Sequence, residues 1–331
     1  VLLLDDRTAE GDDLQLQSIA HGVVMMESLE KDFGIKRRRL EVRKMRGSRF
    51  REGYHDYAIQ TGGVVVFPRL IASEHRPGSI AKPVLSGLDE LDKLLGGGLD
   101  SGTSTILMGP AGCGKSTIAA LYAATSADRG EPGALFIFDE TVDTLLHRTD
   151  GLNIPLRKHL DSGKITLRQV DPAEISPGEF VHSVRELVQS GTKVVVIDSL
   201  NGFMNAMPGE EFLAMQMHEL LSYLNQQGVA TIITLAQHGV IGSDSPVDIS
   251  YLADSVLMFR YFEAGGTVKQ AISVMKKRTG RHERTIRELS FKDGKIQVGA
   301  PLQHFEGVLT GVPRFVGERG ELFSRVNTAD K

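Results

Sequence analysis

Residues 109–116 read Gly109-Pro110-Ala111-Gly112-Cys113-Gly114-Lys115-Ser116, a complete GxxxxGK[ST] pattern followed by Thr117. Glycines at these spacings let backbone N–H groups turn inward around phosphate oxygens, and a helix starting at Lys115 would add its partial positive charge. Lys115 has the reach to meet the terminal phosphates as a point charge, and the Ser116 hydroxyl suits Mg²⁺. The pattern predicts a bound nucleoside triphosphate. Cys113, the one cysteine of the chain, falls at a variable position of the loop and reads as a small residue that fits there.

Further polar groups follow apolar runs. Val194-Val195-Val196-Ile197 runs straight into Asp198, which suits a direct or indirect partner for Mg²⁺ near Ser116. Phe136-Ile137-Phe138 runs into Asp139-Glu140. A carboxylate beside the γ-phosphate can orient and deprotonate water, so Glu140 is the candidate base and Asp139 its electrostatic assistant or substitute. The same two acids also suit the first turn of a helix. Gln237 and His238 end the run 232–236 and are candidates to sense the γ-phosphate. Lys276 and Arg278, after the run 271–275, carry the charge to stabilise phosphate oxygens in a transition state. Their place late in the chain points to a neighbour's nucleotide.

The elements that must hold these groups are legible in the hydrophobic pattern. Ser104–Met108 is short and rich in strand formers, and Thr117–Ala124 has helical composition with no breaker. Further β-like runs fall at 134–138, 194–197, 231–235 and 255–259, with helix-like segments at about 142–150, 178–190 and 210–227. Leu88, Leu91, Leu94 and Leu95 recur at helical spacing before Gly96-Gly97-Gly98 stops the helix. The alternation predicts an α/β fold, a mostly parallel central sheet with helices on both faces, whose ligands sit at the carboxyl ends of the strands.

Sliding the sequence along itself by 232 positions lays Val42, Lys44, Arg46 and Arg49 on Val274, Lys276, Arg278 and Arg281 without a gap. The same offset pairs Ser18 with Ser250, Val24 with Val256, Met26 with Met258, Gly62 with Gly294 and Val66 with Val298. A long internal period points to duplicated domains. The expected organisation is therefore the C-terminal part of a first domain over 1–70, a linker over 71–83 where Pro77, Gly78 and Pro83 fall, a complete domain over 84–305, and a tail over 306–331. With no initiator Met at residue 1, the chain is expected to be a piece that begins inside the first of two tandem domains.

Composition narrows the class. With 331 residues, 41% of them hydrophobic, the chain can bury a large core, and no run approaches a membrane span. The opening Val1-Leu2-Leu3-Leu4 turns acidic too quickly for a secretory signal, so the expected location is cytoplasmic. A net charge of −4 gives no global case for nucleic acid. The run Lys36–Arg51 holds nine Lys or Arg in sixteen residues, yet few aromatics interleave it, which favours contact with another subunit over nucleic acid.

Taken together, Leu85-Ser86-Gly87-Leu88-Asp89-Glu90-Leu91, Gly96-Gly97-Gly98-Leu99, the phosphate loop, Asp139-Glu140 and Val196-Ile197-Asp198-Ser199 resemble the RecA-type ATPases of the circadian clock protein KaiC and its relatives. Arg39–Ser48 resembles the end of a first such domain, Val274–His282 the same element of a second, and Phe305–Arg314 the segment that follows it. The resemblance implies a RecA-like P-loop fold, ATP and Mg²⁺, slow hydrolysis, a hexameric ring with ATP between subunits, signalling partners, and a serine/threonine autokinase in the founding member. It would put Ser250 at the phosphorylated serine, whereas Tyr251 stands where threonine is expected. The alternative from a different class is a RecA- or RadA-like DNA-dependent ATPase of recombination or repair.

Overall fold

A computed structural model of the protein describes residues 14–30, 34–74, 82–171, 173–205, 213–237, 252–309 and 313–317. The chain forms two compact units, Val1–Arg69 with Ala173–His182, and Leu70–Pro172 with Ser183–Lys331. In the first, α1 (Leu14–Ile19) precedes an antiparallel sheet of β1 (Gly22–Leu29), β2 (Arg37–Met45), β3 (Tyr54–Gln60) and β4 (Gly63–Phe67), ordered as in the chain. The tight β3–β4 turn is possible because Gly62 and Gly63 both take positive φ. Strand alternation in β1 directs Val24 and Met26 to one side, where they remain exposed.

The basic run 36–51 is largely consumed within this unit. Arg37 forms a buried ion pair with Asp56 at 2.9 Å, and the Gly178 amide donates to the same carboxylate at 2.7 Å. Arg39 donates to Glu27 at 2.7 Å and lies over the Tyr54 ring; Lys36 meets Glu30 and Arg43 meets Glu41. Lys44 donates to the carbonyls of Gln17 and Ser18, Arg46 to that of Ser18, and Arg51 to that of Arg69. Two of these contacts, Arg37–Asp56 and Arg39–Glu27, are cross-strand pairs, and most of the rest tie strand ends and loops to the same unit.

The second unit opens with a short 3₁₀ turn at Ala72–Glu74, inside the stretch read as a linker, whose Ala72 amide donates to Glu219 at 2.9 Å. Then come β5 (Pro83–Val84), α2 (Asp89–Leu94), β6 (Leu99–Asp100), β7 (Ser104–Gly109), α3 (Lys115–Asp128), β8 (Gly133–Ile137) and α4 (Val142–Gly151). They are followed by α5 (Leu156–Asp161), β9 (Ile165–Gln169), α6 (Pro177–Gln189), whose residues up to His182 belong to the first unit, β10 (Val194–Asp198), α7 (Leu200–Asn205), α8 (Leu213–Gln226) and β11 (Ala230–Ala236). The last strands are β12 (Ser255–Ala264), β13 (Thr267–Lys277), β14 (Ile286–Lys292), β15 (Lys295–Pro301), β16 (Phe305–Glu306) and β17 (Arg314–Phe315).

Nine strands form one sheet in the order β15-β14-β13-β12-β7-β11-β10-β8-β9. The six from β12 to β9 run parallel, and the other three extend the sheet as antiparallel hairpins. The fold is thus the expected mostly parallel α/β sheet flanked by helices. β7, β8, β10 and β11 are buried on nearly every residue and mostly apolar because both their faces are covered. Ala119, Ala120, Ala123, Ala124 and Ala127 let α3 approach this sheet closely, and all five are buried. Among the described residues no helix is long and apolar enough to cross a membrane.

Adding 232 to the β2–β3 and β3–β4 pairings of the first sheet reproduces β13–β14 and most of β14–β15, whereas β12 sits one residue further along against β13 than β1 does against β2. The pair Arg39↔Asp56 becomes Ala271↔Glu288, and Tyr57↔Val66 becomes Leu289↔Val298, both observed registers. The irregularity between Val23 and Val24 of β1 recurs one position further on, between Val256 and Leu257 of β12.

Candidate active site

β7 is a central strand, flanked by β11 and β12, and it delivers the chain into residues 109–116 at its carboxyl end. Gly109 takes a positive φ with the Phe259 carbonyl so close that a Cβ would collide with it. Gly114, the left-handed N-cap of α3, leaves no room for a Cβ against the Phe291 ring and offers no side chain to cap the helix. The first-turn amides of α3 therefore have no side-chain acceptor at the cap, the condition under which a helix start receives an anion.

Lys115 is 7% exposed and donates to the carbonyls of Gly109 at 2.8 Å and Pro110 at 2.6 Å, so its ammonium lies inside the loop. Tyr261 donates to the Ala111 carbonyl at 3.1 Å, tying the loop to β12. Cys113 is buried, its thiol donates to the Pro110 carbonyl, and burial pushes that thiol up from its ordinary value. An elevated thiol pKa means little thiolate and little reactivity. Thr117 is buried in the first turn of α3.

The Ser116 hydroxyl donates to Asp198 Oδ1 at 3.1 Å, and the Thr234 hydroxyl donates to the same oxygen. Asp198 is 9% exposed at the end of β10, next to β11, which carries Thr234. Burial pushes its carboxyl upward, as does the Glu140 charge to a smaller degree; the two hydroxyl donors and the Arg148 guanidinium oppose the rise. Among the described residues no group of three or more His, Cys, Asp or Glu forms a cation cage. One hydroxyl and one carboxylate are nevertheless the hard-oxygen set that suits Mg²⁺ when it takes its remaining ligands from water and phosphate.

Asp139 and Glu140 follow β8, the other neighbour of β10. Ser199 donates its hydroxyl to Asp139 Oδ2. Glu140 is held by Arg148 of α4 through two parallel bonds, Nη1 to Oε2 at 2.7 Å and Nη2 to Oε1 at 2.8 Å. Asn201 clamps the end of β11 by accepting from the Ala236 amide and donating to its carbonyl. Gln237 follows, its amide donating to the Gly109 carbonyl at 3.1 Å and its side-chain oxygen buried without a hydrogen bond. His238 and Ser250 lie outside the described residues.

Lys276 and Arg278 do not join this cluster. β13 is antiparallel to β12, so its end lies beside the start of β7, at the sheet edge opposite the phosphate loop. There Lys276 donates to the Ala253 carbonyl, and Arg278 meets Asp254, which also accepts from the Ser104 amide. Both basic pairs of the repeat thus brace the segment before the strand they flank.

Sequence reasoning missed Arg148, Thr234, Ser199, Asn201, Tyr261 and Phe291. Thr234 left a signal, a hydroxyl inside the apolar run 232–235. Arg148 left none, because a basic residue in the last turn of a helix already has a reason to be there.

A phosphate loop on a central parallel strand, with carboxylates closing the two strands beyond its neighbour, defines a P-loop ATPase domain of RecA type. The family described as "ATPase: KaiC" matches residues 84–303. The chain belongs to that family. It is 25% identical over 304 residues to the "Circadian clock protein KaiC3" of Synechocystis sp., covering 91% of this chain and 60% of that one. It is 25% identical over 292 residues to the "Circadian clock oscillator protein KaiC" of Picosynechococcus sp., and 26% over 292 to that of Parasynechococcus marenigrum, covering 87% of this chain each time. It spans 56% and 57% of those two relatives.

Proposed function

We propose that the chain binds and hydrolyses ATP at the phosphate loop of its second unit. The observation that carries this is the Ser116–Asp198 hydrogen bond on the loop's own helix start, with Asp139 and Glu140 on the adjoining strand end. The loop amides and Lys115 would receive the β- and γ-phosphates. Ser116 and Asp198 would hold Mg²⁺, which when bound neutralises charge developing on the phosphate oxygens. Glu140 takes a proton from the attacking water as its oxygen bonds to the γ-phosphorus and the bond to ADP breaks.

The finer reading is a signalling ring, hexameric as in the family resemblance, with ATP between subunits. Lys276 and Arg278 would act on a neighbour's nucleotide, a reading supported by their distance from their own loop along the strand. The first unit reads as the closing part of a preceding domain of the same kind, supported by the shared strand registers. Autophosphorylation at Ser250 is carried by the resemblance alone, and phosphopeptide mapping after incubation with Mg·ATP decides it.

The trans arrangement is tested by mixing Arg278→Ala chains with Lys115→Ala chains. Co-assembled mixtures should hydrolyse ATP faster than the two preparations summed, since some interfaces regain an intact loop facing an intact arginine. Activity no higher than the sum, with co-assembly verified, removes the trans role. Stimulation of hydrolysis by single-stranded DNA that fades with added salt would favour the recombination class instead.

A further inference from the structure

We propose that Arg148 holds Glu140 back from the attacking water and so sets the hydrolysis rate, as a positioning residue that acts through the base. This rests on the reading of Glu140 as that base. Thr141 caps α4 by accepting from the Thr144 amide at 3.3 Å, which fixes the helix start at Val142, two residues after Glu140. Arg148 stands two turns further along. Helical side chains lean toward the N-terminus, and this long one reaches back to Glu140.

Its position in the last turn would have suited the carbonyls at the helix end, where a cation is favourable. The guanidinium is instead spent on both oxygens of Glu140, at 2.7 and 2.8 Å. Paired bonds of this kind are among the strongest that side chains form. They also engage both oxygens that a general base would bring within hydrogen-bond reach of water. Each oxygen keeps a second lone pair for water, so the guanidinium restrains the base by fixing the plane and direction of its carboxylate and by competing for its charge. Asp139 is held differently, by the neutral Ser199 hydroxyl on one oxygen.

Arg148→Met keeps a side chain of similar length without the donors. Its kcat for ATP hydrolysis should rise roughly threefold to tenfold with KM little changed, a gain of the size one half-exposed ion pair can supply. Arg148→Lys, which restores the charge but not the paired geometry, should fall between the two. The gain should vanish in Arg148→Met/Glu140→Gln, which should match Glu140→Gln alone. A structural role in α4 would lower activity, and no conservative variant would grade it upward.

A kcat at or below wild type in Arg148→Met overturns the proposal, and Arg148→Gln repeats the test if the first variant does not fold. A gain that persists in the double variant also overturns it. If Glu140→Gln alone keeps wild-type turnover, it is the assignment of the base that fails.

Discussion

Val66 and Val298 occupy one register position in two ladders of four strands, yet the first is 38% exposed and the second 8%. Val64 and Ile296 differ in the same way, at 51% and 8%. The ladders share their strand order and the pairing of their last three strands around these residues, so the difference does not arise there. β12 pairs in parallel with β7, and Ile296, Val298 and Leu289 join the core that includes α2 and α3. β1 pairs only with β2 among the described strands. Cross-strand pairing fixes the ladder, while burial of its apolar face in the second unit comes from packing in the core that includes α2 and α3. Chemistry follows the same division, because the phosphate loop is the link between β7 and α3.

Loss of the loop's cation is the largest expected effect on that division. Lys115→Ala should weaken ATP binding by on the order of a hundredfold or more, read by calorimetric titration, with the circular dichroism spectrum retained. Unchanged affinity would mean that the nucleotide site lies elsewhere, and the contrast between the two units would lose its functional half.

A milder pair of variants probes packing directly. Phe291 and Ile59 are equivalent at the 232 offset, but Phe291 packs against Gly114 whereas Ile59 is largely exposed. Phe291→Ala should cost about 2 kcal/mol or more in denaturant unfolding. Ile59→Ala should stay within about 0.5 kcal/mol. Equal losses would show that the first sheet is covered as fully as the second.

The smallest effect concerns Asp198. Burial raises its folded-state pKa above the unfolded value, so the folded protein holds that proton more tightly. Stability is then fully present below the unfolded value and declines as pH rises through the folded one. In metal-free protein, Asp198→Asn should raise Tm at neutral pH, with the gain disappearing below about pH 4. A gain that is the same at both pH values would put its origin in packing rather than charge.

Much of this was legible in advance. The phosphate loop, the carboxylates ending β8 and β10, and the ladder repeat all sit in local patterns that survive without tertiary knowledge. α5 and β9 were missed because Leu156–Gln169 is too short and mixed for either period to emerge. The intra-unit partners of the basic run 36–51 were not legible for a physical reason: its acceptors, Glu27, Asp56 and the Gln17 and Ser18 carbonyls, come from other elements. Arg148 was invisible because its meaning lies in a rotamer that turns back along its helix.

The most direct measurement is single-turnover hydrolysis of Mg·ATP by wild type, Glu140→Gln and Asp139→Asn, with ATP affinity determined on the same preparations. Removal of a general base costs on the order of a hundredfold or more, so Glu140→Gln should retain ATP and release phosphate at least that much more slowly. Asp139→Asn should be milder. Wild-type turnover in Glu140→Gln, or a more severe loss in Asp139→Asn, would contradict the assignment of the catalytic carboxylate.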